Sequence, residues 1–142
     1  MTRLDTWQTR LNQYLLDNAK SDFSYGQFDC GIFAAGAIEA LSGIDVAVDL
    51  RNKYSSRREA FRAIKELCGT ATVEGIADYL AKKYDIPECP VLMAQRGDPV
   101  LIGSGVTSRL AIISMSGSEI LATTNSGLMR YRLDQASRAW HI

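Results

Sequence analysis

Residues 30–41 constrain this chain more than any other stretch. Gly31, Ile32, Phe33, Ala34, Ala35, Gly36, Ala37 and Ile38 are small or apolar on nearly every face of a helix. A surface helix carries one apolar stripe, whereas a helix apolar all round has to be covered on most sides. The rest of the chain must therefore wrap this segment. At 142 residues with 46% apolar side chains, a single domain is large enough to do so, burying about 70% of the surface its unfolded chain exposes. Asp29 is placed to cap the helix and Ser42-Gly43 to close it.

The covering elements read in two halves. Trp7, Leu11, Tyr14 and Leu15 recur at helical spacing, predicting a helix from about Thr6 to Ala19 with Asp5 as N-cap. Ala60, Phe61, Ile64 and Leu67 share one face of a helix over 57–67; Val73, Ile76, Ala77 and Leu80 share one over 72–84, behind a Thr72 cap. Pro87 and Pro90 end this helical part, about residues 1–86. From about 91 to 142 the period changes to that of strands: Pro99–Ile102, Arg109–Met115, Glu119–Thr123 and Leu128–Leu133, separated by glycines, with a last turn and strand over 134–142. The reading is one α+β domain, residues 1–142, with an N-terminal helical subdomain packed on a C-terminal antiparallel meander. Alternation puts Arg109, Ala111 and Ile113 on one sheet face, and that face is expected against the Cys30 helix, with the small Ala111 leaving room for it.

Composition excludes several function classes. Sixteen basic and sixteen acidic side chains give zero formal net charge, with neither a nucleic-acid footprint nor a polybasic membrane patch. No apolar run approaches the roughly 18 residues of a membrane span, and residues 1–16 are too polar for a secretory signal, so synthesis in the cytoplasm is expected. Cys30, Cys68 and Cys89 form no C-x-x-C pair and have no neighbouring histidine, so no metal and no cofactor is assigned. His141 is the only imidazole. Any mechanism needing two histidines is excluded, and one needing a single histidine must carry residue 141 to the site.

Cys30 opens the buried helix, where main-chain N–H groups and the helix dipole favour thiolate over thiol. Before it, Phe23, Tyr25 and Phe28 offer aromatic walls or an exposed docking strip, and Gly26 allows close backbone approach. The alternative for a lone cysteine is a small buried hydrophobe.

These residues carry a resemblance. Phe23 to Ala35 resembles the nucleophile region of the NlpC-type cysteine peptidases, a papain-like branch that cleaves peptidoglycan stem peptides. Arg96-Gly97-Asp98-Pro99-Val100 is similar to the family's Gly-Asp turn, and Arg109-Leu110-Ala111-Ile112-Ile113 falls where the family has a histidine followed by an apolar strand. The order of the Trp7 helix, Gly26-x-x-Asp29-Cys30, Ser42-Gly43-Ile44-Asp45, Tyr54, Gly97-Asp98, Gly127-Leu128 and Ala139-Trp140 resembles small phage and prophage tail-associated proteins related to that family. The resemblance implies an NlpC-type fold with Cys30, Arg109 and His141 as catalytic positions and Tyr25, Phe28, Asp29, Gly97 and Asp98 as binding positions. It also implies residence in the host cytoplasm and then at the virion's tail tip.

The departure is Arg109 in the histidine slot. With a pKa above about 12, arginine neither accepts the thiol proton nor protonates a leaving amine at neutral pH. Loss of acid–base help removes about 10² to 10⁴ in rate. Two readings stand. In one, a degenerate peptidase fold serves as a tail-tip or baseplate structural protein, with other tail-tip and hub proteins as partners. In the other, an active amidase or endopeptidase cleaves peptidoglycan peptides during entry, with Cys30 as nucleophile and His141 as its base, provided the last strand lies beside the one bearing Arg109. Asp29 and Asp98 are read as a helix cap and a turn stabiliser. A small-molecule or redox module rests on the cleft and thiols alone.

Overall fold

In a computed structural model describing residues 1–142, four helices are followed by six strands. The helices are α1 (Trp7–Asn18), α2 (Cys30–Ser42), α3 (Arg57–Cys68) and α4 (Val73–Lys83); the strands are β1 (Glu88–Cys89), β2 (Pro99–Ile102), β3 (Arg109–Ile113), β4 (Glu119–Thr124), β5 (Gly127–Arg132) and β6 (Ala136–Trp140). Together they form an α+β fold, with the N-terminal helices against a C-terminal antiparallel sheet.

α2 is the hub. From Ile32 to Ser42 every residue except Glu39 is buried, between α1 on one side and β3 and β4 on the other. Its ends follow local chemistry. Asp29 Oδ1 accepts from the Ile32 N–H at 2.9 Å, and Gly43 takes the left-handed conformation at φ 80°, which costs glycine little. Gly36 lets α1 approach: a Cβ there would lie 2.3 Å from the Tyr14 hydroxyl, which donates to the Phe33 carbonyl. Ser56 and Thr72 cap α3 and α4. Asp5 does not cap α1. That helix starts after Thr6, which makes no side-chain capping bond.

The sheet order is β1-β6-β2-β3-β4-β5, so the meander is β2 to β5 and the last strand departs from it. β6 crosses back to pair with β2, and β1, a two-residue strand ahead of Pro90, pairs with β6. The assignment of sheet faces is the reverse of the expectation. Leu110, Ile112 and Leu121 join the main core with α2, whereas Ala111, Ile113, Ile120 and Ala122 form a second apolar layer on the other face. The larger side chains meet the helix because α2 is itself built of alanine and glycine and leaves them the volume.

Candidate functional site

Cys30 stands at the first position of α2, on the floor of a cleft of about 390 Å³. Phe23 and Tyr25 form one wall, their rings edge to face at 4.9 Å; α3 and α4 line the far end, and Ser108, Leu110 and Thr123 come from the sheet side. Phe28 is not part of an exposed strip. It is 8% exposed and packs edge to face on Phe33 in the core.

The loop ahead of Cys30 is held by Asp29, whose side chain is buried. Oδ1 caps α2, while Oδ2 accepts from the Gly26 N–H at 2.9 Å and from the Tyr54 hydroxyl at 2.6 Å. Gly26, at φ 81°, touches the chain at Tyr54 so closely that a Cβ would fall 2.1 Å from the Tyr54 carbonyl oxygen. Its own carbonyl accepts from the Asn52 N–H. A loop 25 residues downstream of Asp29 is thereby tied to the base of the thiol helix. On the opposite lip, Ser108 accepts from the Glu74 N–H at the start of α4, and the Glu74 carboxylate accepts from the Gly105 N–H at 2.7 Å. Both lips are pinned by bonds to helix ends.

The surroundings of the thiol disfavour its ionisation. The Cys30 pKa is raised, first by burial; the Asp29 charge adds to this, while the Leu110 main chain, the Arg109 charge and the Gly31 main chain offset it in part. The expected thiolate at a helix tip is thus outweighed by desolvation and an adjacent carboxylate.

Arg109 comes to the same end of the molecule, but its guanidinium lies 5.0 Å over the Tyr131 ring and donates to the Tyr131 hydroxyl at 3.2 Å. Tyr131 packs on the second apolar layer. Arg109 thus lines the cleft with its guanidinium turned toward Tyr131, as alternation with Ala111 and Ile113 requires.

Residues 2–142 match a family described as a domain of unknown function, DUF6950. The chain belongs to the DUF6950 family. No curated protein and no solved structure matches it.

In this DUF6950 domain, Gly97, Asp98 and His141 lie elsewhere. A Cβ on Gly97 would meet Leu11 and Leu41 side chains, so the turn sits at the C-terminal end of α2. Leu41 is eleven residues along that helix from Cys30, roughly 16 Å away. There Asp98, fully buried, accepts from His141 Nδ1 at 2.9 Å, Arg3 at 2.7 Å, the Gln95 N–H at 2.8 Å and the Ile142 N–H at 3.1 Å. Arg3 in turn lies 4.3 Å over Trp7. Because β6 pairs with β2 and not with β3, His141 emerges beside Asp98 and not beside Cys30. Asp98 does more than steady its turn: it joins the two terminal segments to the sheet.

No group of three His, Cys, Asp or Glu side chains is arranged to hold a metal, and Cys30, Cys68 and Cys89 are all free. No helix is long and apolar enough to cross a membrane. Two members of the site escape a reading of motifs. Tyr54 is visible only as an aromatic before a helix. Thr123 stands on the α2-facing side of β4, two residues after Leu121, and a polar side chain at an inward strand position is the signal that marks it.

Proposed function

We propose that this chain is a structural component of a phage tail tip or baseplate, built on a papain-like, NlpC-type fold that no longer turns over substrate. The order of elements supports the fold assignment: a cysteine at the tip of a buried helix, that helix packed on an antiparallel sheet, and the third strand leading from the cleft. The tail assignment is supported by the resemblance of its ordered motifs to tail-associated proteins. One observation carries the loss of turnover. The Cys30 thiol is held neutral by burial and has no imidazole at hand, the only one being engaged with Asp98 at the other end of α2. The carboxylate beside it is already committed, with both Asp29 oxygens accepting hydrogen bonds. Neither a general base nor a general acid is in place for peptide hydrolysis. Its partners on this reading are neighbouring tail-tip and hub proteins, reached by way of the host cytoplasm where the particle assembles.

Three measurements test this. Mass spectrometry of purified particles should find the protein as a stoichiometric tail component, and particles carrying Cys30→Ala should assemble and infect at wild-type levels. Incubation with peptidoglycan stem peptides should leave them intact. Cleavage abolished by Cys30→Ala but not by Cys68→Ala would overturn the reading in favour of an entry peptidase, and a protein confined to lysate and missing from particles would overturn the structural role.

A further inference from the structure

We propose that the Cys30 cleft is a binding site for an uncharged amphiphile, an apolar body ending in one neutral hydrogen-bonding group, an amide or a hydroxyl, seated at Thr123. Thr123 is 2% exposed, and its Oγ1 is the buried side-chain oxygen that has no hydrogen-bond partner. Buried polar groups are nearly always paired, so an unpaired hydroxyl on a residue lining a cavity marks a contact that a ligand can make. The register Ile112↔Leu121, continued by two residues, sets Thr123 beside Leu110, which lines the same cleft as Cys30. Leu110 and Leu121 both face α2, and Thr123 shares their face and lines the cleft, so its side chain lies on the cleft side of the sheet and not in the second apolar layer. The neighbouring Thr124 hydroxyl, by contrast, is used up in the β4–β5 turn, donating to the Gly127 carbonyl and accepting from the Ser126 N–H.

From this polar point the cleft runs between α3 and α4, past Phe61, Ile64, Val73, Ile76 and Leu80. Its volume of about 390 Å³ falls in the range of small-molecule sites, roughly 300 to 1,000 Å³. The charges around it disfavour an ionic ligand. Asp29 is the one carboxylate lining it, and the guanidiniums of the two lining arginines are engaged with rings, Arg109 5.0 Å over Tyr131 and the exposed Arg57 5.2 Å over Phe61. A carboxylate entering the cleft would lose its hydration with no buried cation to replace it. The site would serve whether or not the chain is built into a tail, so its test is separate from the particle and hydrolysis measurements.

The full chain is titrated with octanamide and with octanoate at pH 7, by calorimetry and by the rate at which iodoacetamide modifies Cys30, with Cys68 and Cys89 as internal controls. Octanamide should bind saturably, at least about tenfold more tightly than octanoate, and slow modification of Cys30 alone. Thr123→Val should weaken octanamide about three- to tenfold, the worth of one hydrogen bond, while the empty variant melts no lower than the parent, because valine replaces a hydroxyl that had no partner. Thr123→Ser, which keeps the hydroxyl, should bind within about twofold of the parent and carries the comparison if the valine variant does not fold. The proposal is overturned if octanamide does not saturate, if octanoate binds as well, if Thr123→Val binds unchanged, or if that variant melts lower because the hydroxyl is already paired inside the protein.

Discussion

Gly26 is the residue at which side-chain size alone decides whether the cleft can be built. It needs φ 81° and has a carbonyl oxygen 2.1 Å from where a Cβ would go. Gly127 also has positive φ, 94°, but nothing within 4 Å. Gly26→Ala should therefore cost about 2–4 kcal/mol, backbone strain and overpacking together, whereas Gly127→Ala should cost about 1 kcal/mol from the backbone alone. Urea unfolding of the two variants checks this, and equal losses would show that the contact at Tyr54 relaxes freely. Gly26, Asp29 and Cys30 were all legible as a loop and cap ahead of a buried helix. The state of the thiol was not, since burial and the neighbouring Asp29 carboxylate outweigh the helix-tip effect only once the sheet has closed over Cys30.

At the scale of the element, the N-terminus of α2 is a small network and not a lone cap. Asp29 serves the Ile32 and Gly26 N–H groups and the Tyr54 hydroxyl at once. Asp29→Ala removes the cap, about 0.5–2 kcal/mol, and strands the Tyr54 hydroxyl, about 1–3 kcal/mol, for a loss near 2–4 kcal/mol. Tyr54→Phe should cost about 1 kcal/mol in the parent but recover about 1–2 kcal/mol in the Asp29→Ala background, where the hydroxyl is already stranded, a coupling of about 2–3 kcal/mol. A double-mutant cycle by chemical denaturation measures it; additive losses would mean the two side chains act separately. Helix α2, its cap and its Gly43 stop are legible because each depends on residues within a turn of one another. The absence of a side-chain cap on α1, despite Asp5, is set by how Leu4 is held by a bond from its N–H to the Leu41 carbonyl at 2.8 Å, a contact between distant segments.

Across the whole molecule, four acids have their neutral forms favoured by burial, Cys89 among them. Cys30, Tyr14 and Tyr54 all have raised pKa values with desolvation as the largest cause; for Tyr54 the Asp29 charge adds to it. Once pH passes the ordinary thiol and phenol values, about 8.5 and 10, the unfolded chain releases protons that the native one retains. The contribution is thus fully present at neutral pH and declines as pH rises. The urea midpoint should hold between pH 7 and about 8.5 and fall progressively above it, and Tyr54→Phe should make that fall shallower. A midpoint flat to pH 10.5 would contradict the assignment.

The helices, the meander strands and the burial of α2 can be read from the order of residues alone, because 3.6- and 2-residue periods and short-range caps are written locally. Where β6 inserts is settled by long-range packing. Pairing it with β2 sends His141 to Asp98 and leaves Cys30 without an imidazole, and strand order depends on which edge offers free N–H and C=O groups and an apolar face to cover, neither of which has a local signature. Packing also decides which sheet face meets α2, because alternation fixes that two faces exist, while the volume left by an alanine- and glycine-rich helix selects between them.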